Sequence, residues 1–75
     1  MQMIFGEETF RVFGARVEAA RKKKGLTQEE LAERIGVSQS MINHIEKARK
    51  KPSFENAIAI AREFNTTVES LLAGV

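Results

Sequence analysis

Apolar positions recur at intervals of three and four through most of the chain and nowhere alternate over a strand's length, so the pattern predicts helices joined by short loops. From about Thr9 to Lys23, Phe10, Phe13, Val17 and Ala20 fall on one stripe. Thr9 is the expected N-cap and Gly25 the expected residue past the C-terminus. Gly14 inside this helix costs roughly 1 kcal/mol relative to alanine, which points to close packing against a neighbour or to a frayed start.

A second helix begins at Thr27-Gln28-Glu29-Glu30, a capping box in which the threonine hydroxyl and the third-position glutamate satisfy each other's backbone amides. It runs to about Ile35, where Gly36 supplies a positive φ and turns the chain. Ser38 caps a third helix over about Gln39 to Lys47. Leu31, Ala32, Ile35, Val37, Ile42 and Ile45 form the expected core of this pair. The outer face of the third helix carries Gln39, Ser40, Asn43, His44 and Lys47, with Met41 and Glu46 on its borders. Serine, asparagine and histidine are weaker helix formers than glutamate or lysine, so this face is composed for something other than helix stability.

Lys51-Pro52-Ser53 stops one segment and caps the next, whose expected stripe is Phe54, Ala57, Ile58, Ala61 and Phe64, ending at Asn65. Thr66-Thr67 then opens a last helix over about 67–73, with Val68, Leu71 and Leu72 apolar. Residues 1–8 are expected to form an N-terminal arm, apolar from Met1 to Phe5 apart from Gln2. The expectation is one all-α domain over 1–75 with five helices and the helix-turn-helix at 28–47.

Composition narrows the function. There is no cysteine, no aspartate and one histidine, so neither disulfides nor a metal cluster is expected, and no cofactor. No apolar run approaches a membrane span and no signal peptide is evident, which suits a cytoplasmic protein. Net charge is only +2, but the basic residues concentrate in Arg21, Lys22, Lys23 and Lys24 and again in Lys47, Arg49, Lys50 and Lys51. Each cluster suits a solvated helix end. The second directly follows the polar helix and also suits phosphate contact. Ser40 and His44 lie four apart on one face, yet without an acid partner, oxyanion site or pocket they do not make an enzyme.

The stretch LTQEELAERIGVSQSMINHIEKARKKPS, preceded by RKKKG and followed by IAIAREFNTTVESLL, resembles the helix-turn-helix family of phage lambda repressor and Cro, the XRE-type small regulators of bacteria and phages. The resemblance runs from about Phe13 to Leu72. It implies a compact five-helix lambda repressor-like DNA-binding domain. It also implies a base-reading role for Gln39, Ser40, Asn43 and His44, with Gln28 on phosphate and cooperating with Gln39 on one adenine. Lys47, Arg49, Lys50 and Lys51 match the backbone-contacting loop, and Arg21 and Glu46 match a family salt bridge between the first helix and the end of the third. Met41, Ala57 and Thr66 depart from the family's usual residues, and Met41 leaves the details of readout open between a thymine methyl and packing.

The function so implied is a sequence-specific regulator of transcription, a repressor, which reads double-stranded DNA through the major groove. One such module offers little contact area, and this type places two recognition helices about 34–36 Å apart on a near-palindromic operator, so a homodimer is expected. Leu71, Leu72 and Val75 are the candidate dimer contacts, with the Met1–Phe5 arm second. The alternative is an antitoxin or co-regulator whose main partner is another protein. No small-molecule site or sensing domain is evident.

Overall fold

The computed structural model describes residues 7–74 and contains five helices in this span: α1 (Glu7–Lys24), α2 (Gln28–Ile35), α3 (Gln39–Glu46), α4 (Phe54–Glu63) and α5 (Val68–Leu71). Among the described residues no helix is long and apolar enough to cross a membrane. The arm at Met1–Phe5 and the candidate contact Val75 lie outside the described residues.

Helix α1 already includes Glu7, the first described residue, so Thr9 is not its cap; it lies within the helix and is buried. Gly25 (φ +79°) turns the chain out of α1, with the Gly25 amide donating to the Lys22 carbonyl at 3.0 Å. Asn65 (φ +55°) closes α4 in the left-handed conformation as expected. The last helix is one turn rather than 67–73. Arg16 of α1 completes its end, donating through Nη1 to the carbonyl oxygens of Leu71 (3.1 Å) and Ala73 (2.6 Å).

The core forms where α3 packs between α1 and α2 and α4 closes on α2. Val17, Leu31, Ile42, Ile45 and Ile60 are its largest fully buried side chains, with Phe13, Ala32, Ala57, Ala61 and Leu71 around them. Two expectations fail here. Leu71 is buried in this core, so it is not available as a dimer contact, while Leu72 is half-buried beside it. The core face of α4 is Ala57, Ile60 and Ala61, and Phe54 is 77% exposed. The helix carries two adjacent apolar arcs, and the domain buries the one centred on Ile60. Gly14, by contrast, packs closely: a Cβ there would lie 2.3 Å from the Ile45 carbonyl oxygen and 2.8 Å from that of Glu46. Its bare backbone lets α1 approach the end of α3.

Candidate nucleic-acid interface

Helices α2 and α3 are set by local chemistry. The Thr27 Oγ1 accepts from the Glu30 amide at 3.0 Å and the Glu30 Oε1 accepts from the Thr27 amide at 2.8 Å. That second bond holds the Glu30 carboxyl below its ordinary range. Gly36 adopts φ +79°, and its amide and that of Val37 both donate to the Ala32 carbonyl, at 2.8 and 3.0 Å. Ser38 Oγ accepts from the Met41 amide at 3.0 Å and starts α3. Gln39 and Ser40 emerge from this cap exposed. Met41 is half-buried and packs against the core.

The opposite end of α3 is clamped. Glu46, whose side chain is 0% exposed, accepts from Arg21 Nε (2.7 Å) and Nη2 (3.1 Å), and Arg21 Nη1 donates to the Leu26 carbonyl at 2.8 Å. The Glu46 hydrogen bond raises the Arg21 pKa above its ordinary value against the opposing effect of burial. The same Glu46 Oε1 accepts from Gln28 Nε2 at 3.0 Å, and Gln28 Oε1 in turn lies 3.5 Å from Asn43 Nδ2. The carboxylate accepts only, so it fixes which way the Gln28 amide points. Gln28 therefore bridges the buried clamp to Asn43, whereas the family resemblance implies a Gln28–Gln39 pairing.

His44 is half-buried, and its Nδ1 is buried without a hydrogen-bond partner. A contact from His44 to a base or phosphate must then come through Nε2 or the ring edge. The His44 carbonyl accepts from the Arg49 amide at 2.8 Å, folding the basic loop back over the end of α3. Ala48 makes this turn at φ +59°. Lys47, Arg49, Lys50 and Lys51 are all exposed. Lys47, Arg49 and Lys51 line a cleft of about 420 Å³ together with Phe10, Arg11 and Ala48. Lys51 Nζ sits 5.3 Å over the Phe10 ring centroid, which anchors that end of the loop to α1. Arg11, whose guanidinium pairs with Glu8, is an additional basic side chain at this edge. As an isolated basic residue on a long helix it gave no signal in the sequence.

Three residues of the first basic cluster have partners within the fold. Arg21 belongs to the clamp, and Lys22 pairs with Glu18 at 3.2 Å, which holds that carboxyl below its ordinary range. Lys24 donates to the Glu63 carbonyl oxygen at 2.7 Å and to its Oε2 at 3.2 Å.

Comparison with known proteins agrees with this geometry. The sequence model of the family described as Helix-turn-helix matches residues 17–71. An uncharacterized HTH-type transcriptional regulator of Archaeoglobus fulgidus is 45% identical over 56 residues, covering 75% of this chain and 80% of the relative. The immunity repressor protein of Bacillus phage phi105 is 36% identical over 59 residues, covering 79% of this chain and 41% of that repressor. Among solved structures, the phage P22 c2 repressor protein in complex with a synthetic operator is similar with a TM-score of 0.78 at 32% identity, covering 84% of this chain and 96% of that one.

Proposed function

The chain belongs to the helix-turn-helix family of DNA-binding transcriptional regulators, and from that premise we propose that it is a sequence-specific repressor that binds a near-palindromic operator as a homodimer. It is a regulator and not an enzyme. The observation that carries the proposal is the arrangement of α3. Its first two residues, Gln39 and Ser40, are free and exposed, its far end is fixed by the Arg21–Glu46 clamp, and exposed cations follow it directly. A rigid helix with a free polar start and a basic shoulder suits the major groove.

In this reading Gln39 pairs its amide with the N6 and N7 edge of adenine, worth about 1–3 kcal/mol of discrimination. Ser40 adapts to donor or acceptor, and His44 offers one ring edge. Asn43 acts together with Gln28, which stands at the positive end of α2 and presents its remaining N–H to a phosphate. Lys47, Arg49, Lys50 and Lys51 neutralise backbone charge, each true contact steepening the salt dependence of log K by about 0.9. The repressor role is inferred from likeness to the phi105 immunity repressor and the P22 c2 repressor.

Random-site selection with the purified protein tests the proposal, with a two-fold symmetric site as the expected result. Gln39→Ala should flatten preference at one base position per half-site, whereas Lys50→Ala should weaken all sequences alike. No enrichment at low salt would overturn DNA recognition, and an unchanged ranking of single-base variants in Gln39→Ala would overturn the readout.

A further inference from the structure

The start of α1 stands before the helix-turn-helix, and the readout described above gives it no task. Two of its residues, Phe10 and Arg11, meet the basic loop at the far end of α3. With Lys47, Ala48, Arg49 and Lys51 they line a cleft of about 420 Å³ that holds four cations and no acid. All four cations are exposed, and Lys47, Arg49 and Lys51 form no ion pair among the described residues. Arg11 pairs with Glu8 three residues away, an exposed contact of a kind worth little. That contact uses Nη1 alone among the described residues, which leaves Nε and Nη2 as a fork. The walls of the cleft are fixed. The Arg49 and Lys50 amides both donate to the His44 carbonyl, at 2.8 and 3.4 Å, and Lys51 Nζ lies 5.3 Å over the Phe10 ring centroid. The loop is thereby tied to α3 at one end and to α1 at the other.

We propose that Phe10 and Arg11 complete a clamp for the phosphate backbone of duplex DNA, Arg11 gripping a phosphate through its free fork and Phe10 positioning Lys51 beside it. The inference rests on the DNA-binding reading above and extends its footprint from the helix-turn-helix to the first helix. Both residues precede the stretch at 17–71 that matches the family, so the clamp adds to that module. A concave surface of one charge sign, without a carboxylate among its walls, concentrates anions. Its position favours the DNA backbone as the anion. Gln39 and Lys47 stand at opposite ends of α3, about 12 Å apart at 1.5 Å per residue. A major groove is about 12 Å wide. With Gln39 at the base edges, the far end of α3 and the cleft beside it stand at the phosphate rim. The guanidinium fork matches two phosphate oxygens at once, whereas the lysines act as point charges. Phe10 touches no DNA in this arrangement: its ring face holds the Lys51 ammonium in place.

The salt dependence of binding tests this, measured by fluorescence anisotropy with the full chain on a labelled duplex carrying the selected site and on an unrelated duplex. Arg11→Gln should lower the slope of log K against log salt concentration by about 0.9 per protomer and weaken both duplexes alike. Lys23→Gln removes the same charge from a separate cleft beside Phe64 and Leu71 and should leave the slope nearly unchanged. Phe10→Leu keeps every charge but loses the ring face, and should weaken binding about two- to fivefold; Phe10→Tyr, which keeps the ring, should bind like wild type. Ethylation of single phosphates should find one whose modification impairs the wild type and leaves Arg11→Gln indifferent. An Arg11→Gln slope equal to that of Lys23→Gln overturns the clamp while leaving DNA recognition standing. A Phe10→Leu affinity equal to wild type overturns the positioning role of Phe10. A wild-type chain that binds neither duplex at low salt overturns the DNA-binding reading, and this inference with it.

Discussion

Replacing Gly14 with alanine sets helix propensity against packing, and the geometry decides between them. Alanine is favoured over glycine by roughly 1 kcal/mol inside a helix. At Gly14 the added methyl would meet the Ile45 carbonyl oxygen at 2.3 Å and the Glu46 carbonyl oxygen at 2.8 Å. These are backbone atoms and cannot rotate aside. The Ile45 oxygen is also held by the Ala48 amide at 3.1 Å, and Glu46 is fixed by Arg21. Relief requires α1 and α3 to part by about 1 Å, and a gap of that size forfeits a quarter to a half of the dispersion well along the contact. Overpacking of this kind typically costs 1–3 kcal/mol, occasionally more. Two carbonyl collisions place it at the upper end, leaving a net loss of about 2 kcal/mol after the propensity gain. For a domain of this size that lowers the melting midpoint by roughly 8–16 °C. Thermal unfolding followed by circular dichroism measures it, with exposed Ala19→Gly on the same helix calibrating propensity alone. A Gly14→Ala midpoint equal to or above wild type would refute the close-approach argument. On the proposed function, DNA affinity should fall too, because the displaced element is the helix proposed to enter the major groove.

Arg21→Met leaves the Glu46 carboxylate buried with Gln28 as its remaining donor, and stranding a buried charge costs about 3–5 kcal/mol; a urea midpoint close to wild type would contradict the buried clamp. The double replacement Arg21→Met with Glu46→Leu should recover much of that loss, since apolar residues of similar volume often substitute for a buried pair without penalty. Ala48→Gly should stabilise by about 1 kcal/mol, because the left-handed conformation at φ +59° burdens alanine and not glycine; a lowered midpoint would count against it. Arg34 and then Lys24 hold the Glu63 carboxyl below its ordinary value of 4.5, outweighing partial burial. Its contribution is therefore complete above about pH 4.5 and is lost as pH falls through the lowered folded value. Glu63→Gln should flatten the acid side of the melting-temperature profile, and an unchanged slope below pH 4.5 would argue that the Arg34–Glu63 pair is idle.

Most of what depended on neighbours in sequence could be read from the chain, the expected cap at Thr9 excepted. The capping box at Thr27, the glycine turn at Gly36, the serine caps at Ser38 and Ser53 and the left-handed Asn65 all follow from residues within four positions of one another. What depended on tertiary choice was ambiguous. Helix α4 offers two apolar arcs, and nothing local says that Ile60 goes in and Phe54 stays out. Gly14 left close packing and fraying equally open until the carbonyls of α3 lay opposite it. The Gln28 amide lacked a direction until Glu46 supplied an acceptor, and the bond to Asn43 follows from that direction rather than from either residue's type.

This division bears on how readout relates to stability. Helix α3 has eight residues, far too short to be stable alone, so its orientation comes from its two ends and its buried face. Ile42, Ile45 and Glu46 are committed to the core and the clamp, Met41 packs beside them, and Asn43 and His44 are half-buried. Gln39 and Ser40 alone within α3 are exposed. Substitutions at those two positions touch neither the core nor the Arg21–Glu46–Gln28 chain. They should shift base preference while leaving the melting midpoint nearly unchanged. Changes at Asn43 should move both together, because its amide reaches the clamp through Gln28. On the proposed readout, freely variable recognition is then confined to the first turn of the helix, while the second turn is tied to stability.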